Sequence, residues 1–441
     1  MPHEMIALVM FASMMLMLMT GQRVFAAIGF VGALAGMLLW GTGGVAIPFS
    51  AAMKLMKWYP LLTLPMFIFM GYVLSESRIA DDLYKMFHVW MGPLRGGLAI
   101  GTIGLMVLIS AMNGLSVAGM AIGATIALPE LLRRGYDKIM VTGVIQAGSS
   151  LGILVPPSVV LVLYAMIARQ PVGQLWLAGV LPGLMMAAMF VIYVAVRCRL
   201  QPHLGPVLPP EERAQYTRSE KIRLLGAGLL PLIIFAAMMV PFVKGWTSLV
   251  ESSAIGAMTA FAAAVLKGRM TRQVFENSVR NTLGISCMFM WIIMAALAFG
   301  AIFDGLGAVR AIEGLFTEQM GLGPWGILIV MQLSFILMGT FLDDTAMLVI
   351  VAPLYVPLVD QLGFDLIWYG VLYTITTQIA YMTPPFGYNL FLMRAMAPPE
   401  IGLRDIYASI LPFVMVMAGA LALIMAFPEI ALWLPGMVYG N

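Results

Sequence analysis

Two pairs of consecutive prolines, Pro156-Pro157 and Pro384-Pro385, interrupt long apolar runs of this chain. A proline lacks the amide hydrogen, and its ring collides with the carbonyl one turn earlier, so a tandem pair stops a helix wherever it falls. The first pair falls inside the run from Ile139 to Ala168. As one straight helix, at about 1.5 Å per residue, that run outreaches the roughly 30 Å of hydrocarbon in a bilayer. Around the prolines the chain reads GVIQAGSSLGILVPPS from Gly143 to Ser158, and Gly148, Ser149, Ser150 and Gly152 favour no regular helix there. Carbonyls released at membrane depth cost several kcal/mol unless protein or a wet cavity takes them, so such a break marks an ion or substrate site.

The premise of a membrane comes from composition. With 61% hydrophobic and 10% charged residues and a mean hydropathy of +0.96, the chain has too little polar side chain to cover a soluble globule. The net charge of +3 is small, and the basic residues sit in short connections, which argues against nucleic acid as a partner. Cys198 and Cys287 have no metal-like spacing. No H-E-x-x-H or P-loop pattern occurs, so neither an enzyme nor a nucleotide-driven pump is indicated.

The proline pairs also register a duplication. They lie 384 − 156 = 228 residues apart, and the same offset carries Gly135-Tyr136-Asp137 onto Gly363-Phe364-Asp365. Pro182 meets Pro412 at an offset of 230, and Met91-Gly92 meets Met320-Gly321 at 229. The chain divides into a first repeat, 1–200, a polar linker, 201–223, and a second repeat, 224–441.

Spans are expected at the N-terminus, retained rather than cleaved because no Lys or Arg precedes Arg23, then at Val24–Trp40, Leu61–Leu74 and Trp176–Val196. Gly41–Pro60 reads as an interfacial arm and Ser75–Arg95 as an amphipathic surface helix. Leu98–Leu132 reads as a re-entrant hairpin with its tip at Asn113–Ser116. In the second half spans fall at Leu224–Val243, Thr247–Leu266, Thr282–Gly300 and Ile406–Phe427. Its hairpin, Trp325–Val359, turns at Gly339–Thr345, and its broken run is Leu366–Met393.

Each half thus makes about five crossings, and an odd number sends the second half in from the opposite face, so the repeat is inverted. The basic connection Arg197–Arg223 is cytoplasmic by the positive-inside rule, which puts both termini outside, with Lys54, Lys57 and Arg169 as exceptions. The expected fold is an all-α membrane protein, an inverted-repeat secondary transporter with about ten spans, two re-entrant hairpins and two broken helices.

At GYDKIMVTGVIQAGSSLGILVPPS, FLDDTAMLVIVAPLYVPLV, MTPPFGYNLF and VESSAIGA the chain resembles the large membrane subunit of TRAP transporters, the DctM-like family, over nearly its whole length. Its first hairpin tip, Gly114-Leu115-Ser116, departs from the consecutive serines often found there. The resemblance implies a sodium-driven, elevator-type importer of small organic anions, often carboxylates, across the bacterial inner membrane. It implies two partners, a small four-helix membrane subunit and a soluble periplasmic binding protein, besides membrane lipid, and no cofactor other than Na⁺ as coupling ion. A self-sufficient sodium-coupled dicarboxylate carrier of the same architecture is the alternative.

Hard cations accept carbonyl and hydroxyl oxygens, which the hairpin tips and breaks supply. The first candidate ion site comprises Asn113, Gly114, Ser116, Gly148, Ser149 and Ser150, and its repeat mate Gly339, Asp343, Thr345, Thr376, Thr377 and Gln378. These small polar residues equally suit close helix approach. A carboxylate at membrane depth costs on the order of 3 kcal/mol, which singles out Asp343 and Asp344, while Glu251 lies near enough to a span end to snorkel. Gln146, Ser158, Thr383 and Asn389 are the candidate substrate contacts. With no arginine in either break, helix N-termini and bound sodium are left to hold the anion.

Overall fold

The computed structural model describes residues 2–20, 22–114, 116–209, 211, 216–308, 311, 314, 322–340, 344–384 and 387–440. Among them the chain is helical throughout, as its apolar runs dictate. Helices α1 (His3–Met19), α2 (Val24–Ala35, continued as a wider coil through Trp40), α3 (Ala46–Met56), α4 (Thr63–Glu76) and α5 (Ile79–Met91) lead into a first hairpin. Its limbs are α6 (Gly97–Asn113) and α7 (Ser116–Ile122) with α8 (Leu128–Arg133). The first broken run is α9 (Lys138–Ser150) and α10 (Val159–Ala168), and α11 (Val172–Leu200) closes the half. The same order returns as α12 (Arg218–Val243), α13 (Leu249–Leu266), α14 (Arg272–Gly305), hairpin limbs α15 (Pro324–Gly339) and α16 (Asp344–Gln361), broken run α17 (Leu366–Met382) and α18 (Tyr388–Met396), and α19 (Leu403–Ala426).

The repeated Gly-x-Asp explains how each broken run starts. Gly135 and Gly363 end the preceding limb at φ of 76° and 78°, a region open to glycine. Asp137 then accepts the Met140 N–H at 2.8 Å, and Asp365 accepts those of Ile367 and Trp368 at 2.8 Å, capping α9 and α17 alike.

The prolines explain how each run stops, with one correction to the sequence reading. Gly148, Ser149 and Ser150 lie within the last turn of α9, and the helix tightens into a 3₁₀ turn at Leu151–Ile153 before it breaks. Pro156 and Pro157 forbid the hydrogen bonds to Gly152 and Ile153, not those further back, so helix persists to that point. In the second half Thr376, Thr377 and Gln378 are likewise inside α17, which ends at Met382 just before Thr383 and Pro384. Pro385 lies outside the described residues.

Three contacts fix the relation of the two runs. The start of the first meets the segment after the second, Lys138 Nζ lying 2.8 Å from Asp405 Oδ2. The end of the first meets the start of the second, Tyr164 donating to Leu366 O at 2.9 Å. Their middles meet where Gln378 Nε2 donates to Ser150 O at 2.8 Å. The runs are therefore antiparallel and cross at their breaks, as an inverted repeat requires.

The hairpins follow suit. The base of the first is tied near the start of α9, through Gly96 N–H to Gly205 O and Asp137 N–H to Leu204 O, at 3.0 and 3.1 Å. The base of the second sits beside the start of α17, where Trp325 packs on Phe364 and Trp368 with ring centres 5.2 and 6.0 Å apart.

Basic connections gather with the first hairpin's base. Lys267 and Arg269 pair with Asp82 at 2.8 and 2.9 Å, and Trp90 donates to Lys221 O at 3.1 Å. Partial burial pushes the Asp82 carboxyl up, but hydrogen bonds from Arg269 and Lys267 outweigh it and hold it below the usual carboxylate range.

By length and composition, six helices among the described residues can cross a bilayer. The 17-residue α1, the 14-residue α4 and the two broken runs complete the expected set. Three boundaries differ from the sequence reading. The span expected at Thr282–Gly300 starts ten residues earlier: no Gly or Pro separates Arg272 and Arg280 from it, so α14 runs unbroken for 34 residues. Helix α12 starts at Arg218 because Thr217 and Glu220 form a capping box. An unforeseen eleven-residue helix, α20 (Glu429–Tyr439), restarts the chain at Pro428 and packs along α11.

Candidate functional site

The crossing of the breaks is a buried polar layer in an otherwise apolar core. Ser149, Ser150, Thr376, Thr377, Gln146 and Gln378 are all fully buried. Their hydroxyl hydrogens are spoken for. Ser149 donates to Gln146 O at 2.9 Å, Ser150 to Ala147 O at 2.7 Å and Thr377 to Tyr373 O at 2.9 Å, while Thr376 shares its one hydrogen between Leu372 O at 2.8 Å and Gln332 Oε1 at 2.6 Å. A hydroxyl has one hydrogen and two lone pairs, so what these four side chains still offer is acceptor oxygen. The amide oxygens of Gln146 and Gln378 are buried without a hydrogen-bond partner as well. Among the described residues no group of three or more His, Cys, Asp or Glu comes together. The oxygens that the described residues offer at the crossing are neutral ones, which suit a monovalent hard cation better than a divalent one.

The first hairpin tip closes onto this layer. Gly114, at φ 65°, is buried so tightly that a Cβ there would lie 2.0 Å from Pro157 O, and its own carbonyl accepts the Val159 N–H at 3.4 Å. Ser116 reaches the other half, where Asn389 Nδ2 donates to its Oγ at 3.3 Å and Ser116 Oγ lies 3.4 Å from Asn389 Oδ1. Tip, first break and second broken run are thus in direct contact. Gly148 packs against Met106 of α6, and Gly339 is buried where α15 passes Ala380, so each hairpin's first limb lies against its own broken run.

Other candidates have local employment. The Ser158 hydroxyl accepts the Leu161 N–H at 3.1 Å as the cap of α10 and donates to Ile153 O. Gln146 turns away from the hairpins, its Nε2 donating to Ser409 Oγ of α19 at 3.1 Å. Thr383, half-buried at the end of α17, donates to Ile379 O at 2.6 Å. Asn113 ends α6 and Thr345 lies in the first turn of α16, but their side chains, like that of Asp344, are outside the described residues, as is the whole of Asp343. Glu251 accepts the Ser248 N–H at 2.7 Å in the capping box of α13, away from the crossing.

The family model described as "Tripartite ATP-independent periplasmic transporter, DctM component" matches residues 10–430. The chain belongs to the DctM family. A C4-dicarboxylate TRAP transporter large permease protein DctM from Pseudomonas aeruginosa is 31% identical over 392 residues, covering 88% of this chain and 89% of the relative. The ectoine TRAP transporter large permease protein TeaC of Halomonas elongata is 26% identical over 382 residues, covering 86% and 87%. The YdaH transporter of Alcanivorax borkumensis, a solved structure, superposes with a TM-score of 0.64 over 95% of this chain and 99% of that one. At 15% identity it bears on the fold alone.

In this DctM chain two polar residues at the crossing escaped the sequence reading. Gln332 of α15 is buried with its Oε1 2.6 Å from Thr376 Oγ1 and its Nε2 unpartnered. Ser409, the partner of Gln146, is buried in α19. Gln332 is an amide inside an apolar run, a signal that was available from the sequence, whereas Ser409 follows Arg404 and Asp405 closely and gave none.

Proposed function

We propose that this DctM chain is the large permease subunit of a sodium-coupled transporter, which imports a small organic anion delivered by a soluble periplasmic binding protein. A small four-helix membrane subunit stands beside it, the membrane is the bacterial inner membrane, and both termini are periplasmic. The single observation behind the ion coupling is the buried layer of acceptor oxygens at the crossing, with the hydroxyl hydrogens of Ser149, Ser150, Thr376 and Thr377 already engaged. Such a layer attracts a cation and offers little to an anion. The anion is then held indirectly, by bound sodium and by the unpartnered Nε2 of Gln332, whose Oε1 meets Thr376. The C4-dicarboxylates named for the Pseudomonas relative are anions of this kind. Hairpins and broken runs form one body that moves against the remaining spans and arms, carrying ion and substrate together.

Uptake of labelled organic acids into proteoliposomes tests this, with the chain reconstituted beside the small subunit and candidate binding proteins. Uptake is expected to need both an inward sodium gradient and the binding protein. Undiminished uptake with potassium in place of sodium would remove the ion coupling. Full uptake without any binding protein would make the chain a self-sufficient carrier.

A further inference from the structure

The hydrogen bond that joins the two breaks links repeat mates. Ser150 plus the repeat offset of 228 is residue 378, and it is Gln378 Nε2 that reaches Ser150 O at 2.8 Å. Residues related by the offset touch only if they lie near the pseudo-two-fold axis between the halves, so this bond sits at the centre of the crossing. The first half makes the acceptor available. Where α9 tightens, the Leu154 N–H goes to Leu151 O at 3.1 Å instead of to Ser150 O, and the Ser150 carbonyl, with two lone pairs, keeps one for a donor from the second run. The second half supplies a side chain long enough to take it, whereas serine at the same position in the first half could not reach across. Both residues are fully buried, and the other end of the same amide, Gln378 Oε1, has no partner.

We propose that Gln378 couples the two ion sites, its Oε1 ligating the cation of the second half while its Nε2 holds the Ser150 carbonyl of the first. This rests on the sodium reading given above and deepens it. One amide has one plane. A cation on Oε1 fixes the rotamer of Gln378, and the fixed amide presents its N–H to Ser150 O, which orders the last turn of α9 where Ser149 and Ser150 offer their oxygens. Filling the second site thereby prepares the first, and by reciprocity filling the first favours the second. Gln378 acts here as a positioning residue for the first site and a ligand for the second.

Sodium titrations of the purified chain, read as the rise in thermal unfolding temperature and as uptake rate, test the coupling. The thermal readout also serves variants that fold but no longer transport. In the unmodified chain the sodium response is expected to be cooperative, with a Hill coefficient of about two. Gln378→Glu keeps an oxygen for the second site but loses the N–H. It should retain sodium affinity within about threefold while the Hill coefficient falls to about one. Gln378→Met loses both ends, and should lose cooperativity together with about tenfold in affinity. A Hill coefficient that stays at the unmodified value in either variant overturns the coupling and leaves the sodium reading standing. A non-cooperative sodium response in the unmodified chain does the same. No sodium response at all in the unmodified chain overturns both.

Discussion

The two breaks share a sequence plan but not a chemistry. In the first, the prolines follow a glycine-containing 3₁₀ turn, and everything from Gly148 to Ser158 is buried. In the second, α17 stays regular as far as Met382, and the break opens at half-buried Thr383 and exposed Pro384. The first presents the Ser150 backbone carbonyl to the second run, and the second brings the Gln378 side-chain amide to it. A duplicated fold need not duplicate its ligands: once two breaks meet at an axis, one can donate what the other lacks.

The largest expected effect comes from closing the space at the first break. Gly114→Val puts a β-branched residue at positive φ with its Cβ on Pro157 O, which costs at least about 3 kcal/mol of local strain. Uptake should fall more than about tenfold. Gly363→Ala is the control, since φ there is also positive but a Cβ meets nothing within 4 Å. It should cost about 1 kcal/mol of stability and leave uptake within about twofold. Equal losses in the two variants would mean that positive φ, and not the close fit of tip to break, is what matters.

Next are the hydroxyls. Ser149→Ala in the first break and Thr377→Val in the second each remove one acceptor oxygen, and each should weaken apparent sodium affinity by about three- to tenfold. Unchanged sodium dependence in both would return these residues to packing. Smaller again is the contact between the halves at the hairpin tip. Ser116→Ala should slow uptake by about fivefold, and adding Asn389→Ala should cost less than the sum of the separate effects, because the two share one contact.

The smallest effect lies at the ionic cluster on α5. Asp82→Asn is expected to lower stability by under about 1 kcal/mol, since the carboxylate is partly exposed to screening water. Because the Asp82 carboxyl is held below its ordinary value, its contribution is present above about pH 4 and fades as pH falls through the lowered value. The unfolding temperatures of the parent chain and the variant should therefore converge on acidification. A gap that persisted or widened in acid would assign the stability to some other group.

Much of this was legible in the chain. Paired prolines and Gly-x-Asp caps gave two antiparallel halves, because each acts through local backbone geometry that no tertiary contact overrides. The exact end of each helix was not legible. Gly148, Ser149 and Ser150 have poor helix propensity, yet burial and serine back-bonding to carbonyls three residues earlier keep them helical until the prolines act. The partners of Gln146, Gln332 and Gln378 were hidden for another reason. Each contact crosses between elements distant in sequence, and only the packed crossing determines which amide meets which oxygen. Helix α20 was missed because its eleven residues are too few to span and carry no repeat mate.

The central claim is that the hairpins and broken runs carry one shared site as a body against the scaffold. Leu64 of α4, which the proposal assigns to the scaffold, and Val162 of α10, which it assigns to the moving body, line the same narrow apolar cavity. Substituting both, Leu64→Cys with Val162→Cys, places a crosslink across the sliding surface. Uptake by reconstituted protein should match that of the single variants before crosslinking, vanish when a short bifunctional thiol reagent joins the pair, and return when a cleavable reagent is reduced. Full uptake by completely crosslinked protein would contradict the account, because a site that moves against α4 cannot work while fastened to it.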